Sequence, residues 1–249
     1  MKLTFRIFFT LFFLFFSLLM YLTFVGVETD RFNKQIYNKI DSLNKDIRID
    51  LKSIKLVLDP LNLNFNVKTL GPKIISKNKE IELESIKTQI SLYSIFKNNF
   101  SPTKIEISTK SLEIKKLISF IRSLNKSPKL LVLEAFIKKG FVIADVKLEF
   151  DENGNFKKNY NINGFVKDGK IKLFEKNTLE KIDFIFNLEN NKTLVEDLRF
   201  NYNELDLEID RLILETKNSE ILINGDVNND NLIIDGDIIK NFSKIKTLI

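Results

Sequence analysis

The chain has 249 residues, 44% hydrophobic and 29% charged, a net charge of +6, and no His, Cys or Trp. The missing residue types exclude thiolate nucleophiles, imidazole bases, Ser-His-Asp triads, zinc fingers, iron–sulfur centres and disulfides, and leave only oxygen ligands for any metal. The length allows one or two domains with a sizeable core.

The first element is a run of 21 uncharged residues, Ile7 to Val27. As a helix it would measure roughly 32 Å, against a hydrocarbon layer of about 30 Å. Lys2 and Arg6 precede it, and Glu28 and Asp30 follow it. The positive-inside rule therefore predicts a cytoplasmic N-terminus and an exported remainder. A cleaved signal peptide would have a shorter apolar region and a small-x-small site, for which Thr23–Val27 is a poor match. Residues 1–27 are thus expected to be a retained single-pass anchor in the inner (plasma) membrane.

Residues 28–45 place Phe32, Ile36, Ile40 and Leu43 at helical spacing behind Thr29, a reasonable N-cap. A short amphipathic helix is predicted there. From residue 46 onward the period becomes 2. Ile47/Ile49/Leu51, Ile54/Leu56/Leu58, Leu61/Leu63/Phe65/Val67 and Ile81/Leu83 alternate with polar residues. So do Ile105/Ile107, Val146/Leu148/Phe150, Tyr160/Ile162, Ile182/Phe184/Phe186/Leu188, Leu205/Leu207/Ile209 and Ile221/Ile223. Such alternation marks antiparallel strands with one dry and one wet face. Asn153-Gly154 and Asp168-Gly169 read as hairpin turns. A helical stripe of Leu112, Leu117, Ile118, Ile121 and Leu124 ends before Pro128, and a shorter helical turn falls near Leu92–Phe96.

An apolar-x-Gly-x-apolar core recurs at Ile162–Val166, Ile223–Val227 and Ile234–Ile238, a pattern that bends or bulges a strand. The fold class predicted is mainly β: one transmembrane helix, then an elongated, curved antiparallel sheet over residues 46–249 with a few short helices. About a dozen one-sided strands exceed what those helices can cover. A closed sandwich would bury the faces against each other. An open sheet would line a groove, with Ile162, Ile182, Phe184, Phe186, Leu188, Leu205, Leu207, Ile209, Ile221 and Ile223 as its candidate walls. The natural occupant of such a groove beside a membrane is an acyl chain.

The anchor MKLTFRIFFTLFFLFF is followed by a brief helix and by strands such as Ile81–Ile86, Ile90–Leu92 and Pro102–Ile107. The Gly-centred run YNINGFVKDGKIKL lies further on. This arrangement resembles the AsmA-like family of bacterial envelope proteins, including the TamB and YhdP types. The resemblance implies an inner-membrane anchor, a periplasmic β-groove, and a role in phospholipid transport or outer-membrane assembly. It carries over no catalytic residue. Members are usually longer; about a dozen strands at ~4.8 Å extend only on the order of 60 Å. A truncated member, stacking on a partner, or a sensing or scaffolding role would each fit.

Charge is unevenly spread. Residues 1–179 carry 31 Lys+Arg against 18 Asp+Glu, and residues 180–249 carry 8 against 15. The basic part would be drawn to anionic headgroups. Asp226–Asp237 matches a calcium loop at Asp226, Asn228, Asp230 and Ile233. It has Asn231 where Gly is required and Asp237 where Glu is required, so a polar hairpin is the better account and no metal is expected. Asp206, Glu208 and Asp210 alternate with leucine and isoleucine and fall on the wet face. No cofactor, catalytic residue or nucleic-acid partner is expected. The expected function is non-enzymatic handling of membrane phospholipid. The alternative is a scaffold for outer-membrane assembly that pairs a sheet edge with another envelope protein.

Overall fold

The computed structural model describes residues 2–30, 33–34, 36–37, 41, 45–93, 102–151, 155–173, 177–202, 205–217 and 220–228. Helix α1 (Lys2–Phe24) buries none of its residues and reaches a mean hydropathy of 2.3 over 18 residues. It is long and apolar enough to cross a membrane. Two residues separate it from β1 (Val27–Thr29). Gly26 makes that junction. Its φ is +74°, and a Cβ there would sit 2.4 Å from the Leu56 carbonyl oxygen, so only glycine allows the strand to dock this closely.

The pairing of β1 corrects the predicted start of the amphipathic helix. Thr29 lies opposite Ile54 in a ladder, as the last residue of β1. The anchor likewise ends at Phe24, because Val27 is already strand. Asn33, Lys34, Ile36, Tyr37 and Asp41 are helical, and the Tyr37 hydroxyl accepts from the Leu51 N–H at 3.1 Å. Phe32, Ile40 and Leu43 lie outside the described residues.

Thirteen further strands follow among the described residues: β2 (Ile47–Asp50), β3 (Ile54–Asp59), β4 (Asn64–Leu70), β5 (Lys73–Ser76), β6 (Lys79–Ser91), β7 (Pro102–Thr109), β8 (Leu112–Glu113), β9 (Ile137–Phe150), β10 (Phe156–Leu173), β11 (Asn177–Glu189), β12 (Lys192–Tyr202), β13 (Leu205–Lys217) and β14 (Glu220–Gly225). With β1 they form one antiparallel sheet in the order β1-β3-β4-β6-β7-β9-β10-β11-β12-β13-β14. β2, β5 and β8 are attached alongside, and the sheet is not closed into a barrel. The alternation read from the sequence is what allows this: each strand has one apolar edge to its pleat, and sequential antiparallel strands pair through short connections.

The strand ends have a sense relative to α1. β3 runs antiparallel to β1, with Val27 opposite Leu56, so its last residues pass back beside the end of α1, which contacts β3. The near end of the sheet therefore holds the β3–β4 connection. The far end holds α2 (Ile114–Leu124) and α3 (Pro128–Phe136). Helix α2 packs on β5, β6, β8 and β9 and buries Ile118 and Phe120. The core there joins Ile81, Leu83, Leu112, Phe120, Val142 and Val166, with Leu83 only 1% exposed.

Four sequence expectations change here. Leu112 is on β8, ahead of the helix. Pro128 opens α3 at its first turn, where its missing N–H costs nothing. Leu61 and Leu63 fall in the β3–β4 connection and not on a strand. Asp168-Gly169 lies inside β10, where the register shifts between Val166 and Gly169, so it is a bulge rather than a turn. The predicted turn at Asn153-Gly154 lies outside the described residues; the strands on either side of it, β9 and β10, pair antiparallel. Of the Leu92–Phe96 turn, Leu92 and Tyr93 are helical and the rest is outside it.

The bulge has neighbours. Gly140 on β9, Asp168 on β10, Lys181 on β11 and Asp197 on β12 all have positive φ. They stand at matching levels, since Lys139 pairs with Lys170, Gly169 with Ile182, and Asp183 with Arg199. A line of irregularities on four adjacent strands bends the sheet along that line. The phase of the apolar pattern jumps across it, from Val195 to Leu198 on β12 and from Ile209 to Leu212 on β13.

Candidate apolar groove

The register brings one residue from each of ten strands into a single cross-strand row. It reads Ile54, Thr69, Ile86, Ile107, Val146, Ile162, Leu188, Thr193, Leu214, Ile223. With strands ~4.8 Å apart the row is about 43 Å long. Its exposure is graded. Ile54 and Thr69 are buried at the α1 side, the middle members are half-buried, and Ile223 is 68% exposed. A second row one step nearer the end beside α1 runs Leu56, Val67, Thr88, Ile105, Leu148, Tyr160.

These rows and the helices share one face and meet on it, since Ile86 and Ile107 of the long row pack against the core that α2 covers. At the far end, α2 covers Val142 and Val166, and Phe184 and Phe186 pack against that same cluster. Their ring centroids are 6.0 Å apart and tilted by 57°, a favourable edge-biased contact. Gly164 forms the floor beneath them: a Cβ there would lie 2.7 Å from Phe186 Cζ. Toward the near end neither α2 nor α3 contacts β4, β7, β11 or β12 among the principal packing contacts. Phe150 and Phe156 close the β9–β10 end at 5.9 Å, with Phe156 44% exposed.

The ten candidate residues from the sequence separate accordingly. Ile162 and Leu188 are in the long row and half-buried. Phe184 and Phe186 are half-buried at the edge of the core. Leu205 is half-buried, opposite Tyr202. Ile182, Leu207 and Ile209 are buried at 6%, 6% and 7% and offer no free surface, a correction to their assignment as groove wall. Ile223 is open to solvent, and Ile221 pairs with Thr216 in the backbone register. The residues that sequence patterning left out of the groove are Ile86, Ile107 and Val146. The alternation of Ile107 and Val146 was visible but the register that aligns them with Ile162 was not, and Ile86 breaks the alternation of Ile81 and Leu83 across a register shift.

The opposite face is mixed: Phe165 stands between Ile143 and Ile185, with Phe165 43% and Ile185 49% exposed, and polar residues flank them. Asn161 Nδ2 donates to Asn187 Oδ1 at 3.2 Å, and Asn163 Nδ2 to Asn161 Oδ1 at 2.7 Å. A hollow of about 560 Å³ opens on this face, lined by Lys55, Lys68, Lys87, Lys104, Glu28 and Glu106 among others. Val67 and Thr88 of the second row also reach its lining. Lys55, Lys68 and Lys87 are directly opposite one another on three adjacent strands. Like charges so placed repel. Glu106 is bonded to Lys104 at 2.8 Å, which with the nearby Lys87 and Lys147 outweighs desolvation and holds its carboxyl below the usual range.

No metal-binding group of three or more acidic residues occurs among the described residues. Most of the Asp226–Asp237 segment lies outside them; Asn228 within it is bridged to Glu208. No family model, curated protein or solved structure matches the chain.

Proposed function

We propose that this chain is a membrane-anchored, non-enzymatic lipid-handling protein of the bacterial cell envelope. In this proposal α1 crosses the inner membrane with its N-terminus in the cytoplasm. The sheet stands in the periplasm, and its apolar face holds phospholipid acyl chains.

The observation that carries the proposal is the long apolar row. Its central members are neither buried nor solvated, and the helices that complete the core cover only the far end of the same face. Eight of the ten members of this row, about 43 Å long, are Ile, Val or Leu; the exceptions are Thr69, whose hydroxyl is bonded to the Ile86 backbone, and Thr193, so few groups are available to select a polar ligand. The row matches an extended hydrocarbon, at ~0.8 kcal/mol for each methylene removed from water. On the strands beside α1 the row members Ile54, Thr69 and Val67 are buried, and the half-exposed part of the rows begins beyond them.

Photoreactive side chains at Ile107, Val146 and Ile162, with Lys147 on the opposite face as the reference, test this directly. Lipid adducts should form at the first three positions in membranes and be absent at Lys147. Equal labelling at all four positions, or none at any, refutes the groove.

The second proposal is a scaffold that pairs with another envelope protein through a sheet edge. It is favoured by β14, the last strand on the described path, whose Leu222 and Ile223 are 50% and 68% exposed.

A further inference from the structure

The β3–β4 connection is built to display apolar side chains. It runs Asp59-Pro60-Leu61-Asn62-Leu63. Asp59 Oδ1 accepts the Asn62 N–H at 3.2 Å, and Asp59 Oδ2 accepts Asn62 Nδ2 at 2.9 Å. Pro60 follows the Asp, the order that favours a tight turn. The Asp59 carboxyl is held below its ordinary range, chiefly by the Asn62 side chain. The turn is thus fixed by its own hydrogen bonds and needs no packing from its leucines. Those leucines point outward: Leu61 is 93% exposed and Leu63 is 63% exposed. Leu63 also has φ of 50°, an unfavourable conformation for a residue with a Cβ.

A soluble surface gains nothing from two exposed leucines on a rigid, partly strained tip. The position of the tip supplies the reason. β3 runs back along the end of α1, since Val27 pairs with Leu56 and α1 contacts β3. The tip therefore projects toward the anchor, past the level at which α1 leaves its last turn at Phe24. Tyr93, 66% exposed, stands beside it, where the Leu92 N–H donates to the Leu63 carbonyl at 2.9 Å. Tyrosine is enriched at membrane–water interfaces, and leucine is favoured in the apolar layer beyond. Lys55, Lys68 and Lys87 lie further along the same strands. From Lys55 to Asp59 is about 13 Å at ~3.3 Å per residue, which sets them on the water side of the tip.

We propose that the Leu61–Leu63 turn is a bilayer-inserted foot. It fixes the sheet at a second point beside α1 and keeps the near end of the apolar face against the membrane. This inference rests on α1 being membrane-embedded but not on lipid being held in the groove. Because sheet twist turns successive strands by roughly 20–25°, the β9–β10 and later tips rotate away and take no part in the foot.

The absence of native cysteine makes the test clean, since each introduced cysteine is the sole labelling site. The full chain carrying Phe13→Cys, Leu61→Cys, Leu63→Cys or Asn78→Cys is labelled with an environment-sensitive fluorophore. It is reconstituted in vesicles of phosphatidylglycerol and phosphatidylcholine with nitroxide-bearing acyl chains. Asn78, in the β5–β6 turn at the far end, is the aqueous reference. Labels at 61 and 63 should be quenched at least fivefold more than the label at 78. Quenching at 13 but not at 61 or 63 overturns the foot and leaves the anchor standing. No quenching at 13 removes the anchor and the foot together. A second variant guards against a label dragging the tip into the bilayer: Asn62→Cys in a Leu61→Asp/Leu63→Asp background should lose the quenching seen with Asn62→Cys alone. Retained quenching there overturns the inference.

Discussion

Replacing Gly164 by Ala is the sharpest test of how the covered and uncovered parts of the apolar face are joined. The new Cβ would lie 2.3 Å from the Ile143 carbonyl oxygen, 2.7 Å from Phe186 Cζ and 3.0 Å from Ala144 Cα. Two of these three atoms are backbone, so moving the Phe186 ring relieves only part of the overlap and β9 must shift as well. Overpacking of this kind costs about 1–3 kcal/mol. The reduced entropy of the unfolded chain returns about 0.4–1 kcal/mol. A net loss of roughly 1–2 kcal/mol lowers the melting temperature by about 2–8 °C for a chain of this size. The assay is thermal unfolding of the full chain in detergent micelles, followed by its β-sheet circular dichroism. Phe186→Leu in the Gly164→Ala background should recover part of the loss, with a coupling of at least about 0.5 kcal/mol. A Gly164→Ala protein melting at or above the parent temperature refutes the close approach of β9, β10 and Phe186.

Leu83→Ala, at the 1%-exposed centre of the core, should cost about 2–5 kcal/mol in the same assay, whereas Leu61→Ala should leave it unchanged. Val146→Asp should abolish lipid adducts at Ile107 and Ile162; unchanged adducts count against the groove. Glu82 bridges Lys73 and Lys110, chiefly through the hydrogen bond to Lys73, which lowers its carboxyl from 4.5 to about 2. A depressed carboxyl contributes stability above its unfolded value that is lost as pH falls from about 4.5 toward 2. Glu82→Gln should flatten that part of the stability–pH curve, and an unaltered acid limb contradicts the bridge. Lys68→Glu, set between Lys55 and Lys87, should raise stability by up to about 1 kcal/mol by turning two repulsive pairs into attractive ones; a lower melting temperature refutes the ladder.

The strand content and the mainly β, antiparallel architecture were legible because period-2 alternation is a local signal that the sheet reproduces almost run by run, whereas the choice between an open sheet and a closed sandwich was not. The failures share a cause: they required knowing what stands across the ladder. Leu61 and Leu63 continue the alternation of Phe65 and Val67 in sequence. Asp59 and Pro60 nevertheless close a turn before them, and the pattern carries past the strand. Asp168-Gly169 has the composition of a hairpin turn, but Ile182 and Lys139 flank it on both sides and keep it within β10. Ile182, Leu207 and Ile209 have the same alternation as Leu188, and only the bulge line decides that they are buried while Leu188 is half-open. Helix α3 was missed because Leu130, Leu131, Val132 and Leu133 form a continuous apolar run with no helical period.

The bulge line explains how one meandering sheet can have both a core and a groove. A flat sheet with one apolar face must cover all of it or expose all of it. Bending β9 through β12 at Gly140, Asp168, Lys181 and Asp197 shifts the phase of the apolar pattern at that level. The far segments of these strands then present Ile137, Ile182 and Tyr202 in buried positions, while the near segments keep Val146, Ile162 and Leu188 half-exposed. The core around Leu83 and Phe120 sits at the line and on its near side, with Val142 and Val166. The near segments are held by backbone ladders on both sides, whose hydrogen bonds do not depend on what the side chains touch. The apolar row can therefore stay uncovered without threatening the fold, a condition that a hydrocarbon-holding surface must meet when it is empty.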